Sequence, residues 1–152
     1  MGTNVFCYGS LMFDAVWIRV VAGRYESVPG RVRGFSRFAV AGESYPAVVR
    51  SVRGEVIGRV YLDVAPDDLA RLDAFEGDEY RRVPAGVELL DPGFDPLGEA
   101  SPPQARGTAT AELYVFLAPA RLAPHPWDAR RFGREQIERF IATYAGGDWP
   151  SR

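Results

Sequence analysis

The stretch from Val28 to Val64 limits the possible folds more than any other part of the sequence. It contains several short runs rich in Val, Phe and Tyr, which favour strands. The runs are separated by residues that favour turns or bends, namely Gly30, Gly34, Gly42, Pro46, Gly54 and Gly58. The pattern therefore predicts several short, consecutive strands with no helix between them.

Helical patterns occur in three other places, at residues 13–23, 66–77 and 127–147. In each, apolar residues recur at helical spacing. Each segment also has a residue suited to begin a helix and a glycine suited to end it. These pairs are Asp14 and Gly23, Pro66 and Gly77, and Asp128 and Gly146. We therefore expect three helices, the second of about three turns.

The remaining strand patterns lie at 4–8, 80–90 and 108–117, and a Pro- and Gly-rich segment at 91–107 is predicted to be a long loop. The resulting order alternates strands and helices too rarely for a doubly wound parallel sheet. It predicts an α+β fold with a mixed sheet or small barrel. A chain of 152 residues with 47% hydrophobic content favours a single domain spanning residues 1–152.

The charged residues exclude several functions. The formal net charge is −2, so we expect neither a nucleic-acid partner nor an anionic membrane, and a small neutral or zwitterionic ligand fits better. All the basic side chains are arginines. The absence of lysine excludes Schiff-base chemistry on lysine and a lysine-bearing phosphate loop.

Cys7 is the one cysteine and His125 the one histidine. Because Cys7 lies in an apolar strand and His125 in the PHPW segment, a Cys–His nucleophile pair is not favoured. A single histidine without companions predicts no metal site. A lone cysteine, no signal-peptide pattern and no apolar run long enough to cross a bilayer predict a cytoplasmic location.

The segment Tyr8, Gly9, Ser10 and Leu11 follows the first predicted strand. A glycine there lets the backbone turn and approach a ligand closely, and successive amide groups of such a turn can bind an anion. The alternative is a plain structural turn in which Ser10 bonds its own backbone. Ser10 lacks the G-x-S-x-G context of a nucleophile.

Glu76 stands at the end of the second predicted helix, between Phe75 and Gly77 and close to other acidic residues. Burial, the negative end of the helix and the neighbouring carboxylates would all raise its pKa, which suits a proton shuttle at neutral pH. The alternative is a solvated residue in an acidic turn.

Tyr80 and Tyr114 are the tyrosines placed to reach a pocket shared with Glu76. Strand tyrosines are by default core or half-buried residues. If these two reach the pocket, their hydroxyl groups could orient a carboxylate.

Six segments in order resemble the gamma-glutamylcyclotransferase-like superfamily, in particular its branch of plant avirulence-induced-gene proteins and bacterial relatives. They are VFCYGSL at 5–11, SYPAVV at 44–49, EVIGRVYLDV at 55–64, LDAFEGDEYRRV at 72–83, ELYVFL at 112–117 and WDARRFGREQIERFIATY at 127–144. The resemblance implies a small mixed β-barrel with flanking helices. It also implies that Tyr8, Gly9, Ser10 and Leu11 hold a glutamyl group through backbone amides, that Glu76 is the general acid/base, and that Tyr80 and Tyr114 line the pocket. The 91–107 loop is longer than the usual connection in this superfamily.

The implied reaction is the cyclisation of a γ-glutamyl amine or peptide to 5-oxoproline with release of the amine. Because amine and carbonyl share one short chain, the reaction needs no cofactor and no protein nucleophile. Two other hypotheses remain open at this stage. One is a non-catalytic module that binds a small ligand in the same pocket, and the other is hydrolysis or exchange of a different amide there.

Overall fold

The computed structural model describes residues 2–145, which contain five strands. These are β1 (Thr3–Cys7), β2 (Ser27–Ala39), β3 (Pro46–Val64), β4 (Tyr80–Leu89) and β5 (Gly107–Phe116). They form a closed barrel in the order β1-β3-β2-β4-β5. A parallel contact between β1 and β5 closes it, with Val5 opposite Glu112, and the other neighbours are antiparallel. The predicted α+β class and mixed barrel with flanking helices are confirmed.

The prediction of several short strands between residues 28 and 64 is wrong, because two long strands, β2 and β3, cover most of this region. Several glycines there lie within strands, at points of close approach. A Cβ atom at Gly58 would lie 2.3 Å from the carbonyl oxygen of Cys7 in β1. Gly34 has a φ of 88° at an irregularity in the β2–β3 pairing. Of the glycines that were predicted to separate strands, Gly42 does lie in the turn between β2 and β3.

Among the described residues, two α-helices precede the C-terminal region, α1 (Asp14–Val20) and α2 (Pro66–Glu76). Helix α2 begins and ends as predicted, with Gly77 at its C-cap and a φ of 79°. The predicted bounds of α1 are wrong, since Phe13 rather than Asp14 occupies the N-cap and the helix ends before Gly23. None of the helices within the described residues is both long and apolar enough to cross a membrane.

The C-terminal region is helical from residue 129 to residue 145, and we call these residues the C-terminal helix. Short α-helical pieces, α3 (Ala129–Arg131) and α4 (Ile137–Phe140), alternate with π-helical turns at Phe132–Gln136 and Ile141–Ala145. Asp128 caps the start as predicted, since its carboxylate accepts from the amides of Arg130 and Arg131. Gly146, predicted to end this helix, lies outside the described residues.

The buried residues form two main clusters. One fills the barrel and consists of strand residues together with Tyr8. The other includes residues of α1, α2 and the C-terminal helix and packs them against the barrel, with Leu72, Phe132 and Phe140 among its members. The turn after β1 contributes to both, through Tyr8 in the first cluster and Leu11 in the second. The turn is therefore fixed between the barrel and the helices.

Asp68 joins α2 to the segment after α1. Its buried carboxylate accepts hydrogen bonds from the amides of Ala22 and Gly23 at 2.8 and 2.9 Å, from the Tyr25 hydroxyl at 2.6 Å and from Arg71 at 2.7 Å. Because the amides of Ala22 and Gly23 donate to Asp68 rather than to carbonyls of α1, the helix ends before Gly23. Burial alone would raise the pKa of Asp68, but the four hydrogen bonds outweigh it and lower the pKa to about 2.

We predict that Asp68→Asn lowers the free energy of unfolding at neutral pH by about 2 kcal/mol, the stabilisation expected when folding lowers a carboxyl pKa from 3.8 to about 2. Because the folded pKa lies below the unfolded value of 3.8, this contribution is complete above that pH and is lost as the pH falls toward about 2. Urea unfolding at several pH values measures it. The stability gap to wild type should shrink on acidification, and a gap independent of pH would contradict the assignment. Asp67→Asn, at the exposed neighbouring position, serves as the control.

Candidate active site

The turn after β1 contains Tyr8 and Gly9 and continues as a short 3-10 turn at Ser10–Met12. The Met12 amide donates to the Gly9 carbonyl at 3.0 Å, and the Phe13 amide donates to the Ser10 carbonyl at 3.1 Å. A Cβ atom at Gly9 would lie 2.7 Å from Cγ of Pro46. A larger residue would therefore push the turn away from β3, so glycine is needed here for close packing.

Glu76 is the last residue of α2. Gly77 follows in a left-handed conformation, and its amide donates to the Asp73 carbonyl at 3.0 Å. Such a glycine stops a helix and turns the chain sharply. The turn leads directly into β4, which begins at Tyr80. The sequence around Glu76 thus fixes a carboxylate at the point where α2 meets the barrel.

A cavity of about 140 Å³ brings the turn and the end of α2 together. The predicted residues Tyr8, Gly9, Ser10, Leu11, Glu76, Tyr80 and Tyr114 all line it. Five further aromatic side chains complete much of the wall: Phe6, Tyr45, Phe75, Phe140 and Tyr144. The geometry therefore fits the predicted pocket, while the chemical role of each residue stays a prediction.

The charge of Glu76 acts on the ionisable groups of the cavity wall. Burial is the main cause of a raised pKa at Cys7, Tyr8, Tyr80 and Tyr114, and the negative charge of Glu76 contributes at all four. These thiol and phenol groups are therefore neutral at pH 7. His125 is exposed and is not among the residues that line the cavity, so the structure does not pair it with Cys7 at this site.

The hydroxyl groups of the three predicted tyrosines donate to protein acceptors. Tyr8 donates to the Tyr114 carbonyl at 2.5 Å and Tyr80 to the Pro46 carbonyl at 2.8 Å. Tyr114 donates to Oδ1 of Asp73 at 2.6 Å. The Tyr114 hydroxyl thus donates to a carboxylate outside the cavity wall, whereas the Tyr80 hydroxyl donates to the backbone, and their role toward a carboxylate in the pocket stays a prediction.

Arg82 connects α2 to strands β4 and β5. Its Nε and Nη2 atoms bond to the two carboxylate oxygens of Asp73 at 3.0 and 3.1 Å, and Nη1 bonds to Glu112 at 2.5 Å. A bidentate arginine–carboxylate pair has well-defined geometry. Because Asp73 lies one helical turn before Glu76, this network fixes the last turn of α2 against the barrel.

The acidic rim of the cavity was not identified from the sequence. Asp78 and Glu79 line the cavity, and Arg121 binds both Glu79 and, at 3.4 Å, Glu43. Tyr144 of the C-terminal helix approaches the same Glu43 carboxylate at 3.4 Å. The sequence showed only that Asp78 and Glu79 lie close to Glu76, in one of the six segments on which the family resemblance rests.

The family model described as gamma-glutamyl cyclotransferase, AIG2-like, matches residues 5–132. AIG2-like protein A of Arabidopsis thaliana is 46% identical over 89 residues, which are 58% of this chain and 53% of that protein. Protein AIG2 C of the same plant is 35% identical over 88 residues, again 58% of this chain and 53% of the relative. The chain thus matches about half the length of these relatives.

Solved structures show the same fold. A solution structure of an Arabidopsis thaliana protein superposes with a TM-score of 0.67 and 27% identity, covering 95% of this chain and 80% of that one. A gamma-glutamyl cyclotransferase structure gives a TM-score of 0.55 and 16% identity, over 76% of this chain and 67% of that one. At that identity the second match supports the fold alone.

Proposed function

The chain belongs to the gamma-glutamyl cyclotransferase, AIG2-like family, and from this premise we propose that it cyclises a γ-glutamyl amine or peptide. The products are 5-oxoproline and the free amine. One observation carries the proposal: Glu76 and the turn from Tyr8 to Leu11 line the same cavity. An acid that can move a proton therefore lies near backbone amides that can hold an anion.

Glu76 acts as the general base and then as the general acid. Its carboxylate takes a proton from the α-ammonium group of the substrate, and the freed amine attacks the γ-carbonyl carbon. The carboxylic acid returns that proton to the leaving nitrogen, and the bond between carbonyl carbon and nitrogen breaks. The excess proton on the new ring nitrogen leaves through the same carboxylate, so the released amine departs as an ammonium ion.

The turn holds the substrate in the folded conformation that cyclisation requires. Its amides bind the glutamyl group and stabilise the negative charge that develops on the γ-carbonyl oxygen. The aromatic wall excludes water, which strengthens both interactions. Because nucleophile and carbonyl belong to one molecule, much of the catalytic effect comes from holding them together.

The test is to incubate the purified protein with a panel of γ-glutamyl amino acids, peptides and amines and to quantify products by mass spectrometry. Equimolar 5-oxoproline and amine are expected for at least one substrate. Free glutamate instead of the lactam would overturn cyclisation in favour of hydrolysis. Absence of turnover, with a thermal midpoint raised by glutamate-like ligands, would overturn it in favour of a binding module.

A further inference from the structure

The guanidinium group of Arg37 contacts the backbone of the turn that follows β1. Its Nη1 donates to the Tyr8 carbonyl oxygen at 2.7 Å. On another side, Cζ lies 5.3 Å from the centroid of the Trp127 ring. Arg37 itself is not among the residues that line the cavity. The cation therefore touches the backbone of the turn from outside the pocket.

Among the residues that the structure describes, this cation has no acidic partner. Within residues 2–145, the carboxylate ion pairs involve other arginines, such as Arg31, Arg82 and Arg121, and none involves Arg37. Burial lowers the pKa of Arg37 to about 10, so the group stays charged at neutral pH. Even a partly buried charge without a counter-ion is costly. Its one hydrogen-bond acceptor among the described residues is the carbonyl of Tyr8.

The peptide group between Tyr8 and Gly9 connects the charge of Arg37 to the cavity wall. In a trans peptide the carbonyl and the following N–H point in opposite directions. Because Arg37 bonds to the Tyr8 carbonyl, the Gly9 N–H points away from Arg37, and Gly9 is one of the residues that line the cavity. A hydrogen bond from a cation to the carbonyl polarises the peptide and makes its N–H a stronger donor.

We propose that Arg37 is a positioning residue that fixes and polarises the Tyr8–Gly9 peptide, so that the Gly9 N–H binds the α-carboxylate of the γ-glutamyl group. The identity of that anion rests on the proposed function. The role of Arg37 in orienting and polarising the peptide does not. Arg37 thus contributes positive charge to the site without occupying space in it.

The main test compares Arg37→Gln with Arg37→Lys. Glutamine can keep a hydrogen bond to the carbonyl but carries no charge, whereas lysine keeps the charge. Arg37→Gln should weaken binding of L-glutamate and 5-oxoproline, measured by NMR titration, by roughly tenfold, the effect of losing a charge-assisted interaction. Arg37→Lys should restore most of the affinity. Equal affinity in Arg37→Gln and wild type would overturn the proposal.

The Gly9 amide gives a readout that does not depend on turnover. Its proton resonance in the ligand-free protein should move upfield in Arg37→Gln, as expected for a less polarised donor, and only slightly in Arg37→Lys. An unchanged Gly9 resonance, or equal losses in both variants that merely follow a lowered thermal midpoint, would make Arg37 a structural residue and overturn the proposal.

Arg50→Gln is the matched control. Arg50 also lies on a barrel strand, with Cζ 5.3 Å from an aromatic centroid, that of Phe35, but it is exposed. This variant should leave ligand affinity and the Gly9 resonance unchanged. In an active protein, Arg37→Gln should raise KM roughly tenfold with kcat little changed. If wild type shows no turnover, the proposed function fails, while the Gly9 resonance still tests Arg37.

Discussion

Glu76→Gln is expected to lower kcat for 5-oxoproline formation by roughly 10⁴-fold, the upper range for loss of a general acid–base group. The upper range applies because one carboxyl group serves both as the base for the ammonium and as the acid for the leaving nitrogen. Glutamine has nearly the same shape but cannot exchange a proton in this way. Substrate binding through the turn should persist, so KM should change far less than kcat.

The measurement is the rate of 5-oxoproline release by mass spectrometry, with circular dichroism to show that the fold is retained. Glu138→Gln makes the same chemical change on an exposed face of the C-terminal helix and should retain full activity. Comparable rates in Glu76→Gln and Glu138→Gln would remove Glu76 from the mechanism. Release of glutamate by wild type would instead point to a different reaction at the same site.

The two segments that meet at the cavity could be located in the sequence because each is specified locally. Gly9 follows a short apolar strand, and Gly77 ends an amphipathic helix that begins with a proline. Such signals depend on neighbouring residues alone, so they can be recognised without knowledge of the tertiary structure. Their convergence on one cavity, by contrast, was expected from a family resemblance rather than from spacing.

The residues that support these segments could not be found in this way, because their partners are distant in sequence. Arg37 contacts a carbonyl 29 positions away, and Asp68 binds amides 45 and 46 positions away. An isolated arginine in a strand, or an aspartate in a helix, is also typical of an exposed face. The prediction of short strands between residues 28 and 64 was wrong for a related reason. In the sequence, a glycine that lets a neighbouring strand pack closely looks the same as a glycine that makes a turn.

Phe132→Ala is expected to have the largest effect on stability. The side chain is fully buried at the start of the C-terminal helix. The centroid of its ring lies 5.2 Å from the ring centroid of Phe13, 5.5 Å from that of Trp127 and 5.2 Å from that of Phe140. Truncation removes buried apolar surface, leaves a cavity and breaks these ring contacts, so the free energy of unfolding should fall by about 3–5 kcal/mol. That is a large share of the stability of an ordinary domain.

Urea unfolding followed by circular dichroism measures the loss, and Phe94→Ala, at a half-exposed position in the long loop, should cost far less. Equal losses in the two variants would show that Phe132 does not anchor the C-terminal helix. If it does, the change should also reach the cavity, because Phe140 and Tyr144 of that helix form part of its wall. At a temperature where Phe132→Ala remains folded, KM should therefore rise more than kcat falls, since a displaced wall weakens substrate binding while the Glu76 carboxyl and the turn after β1 remain in place.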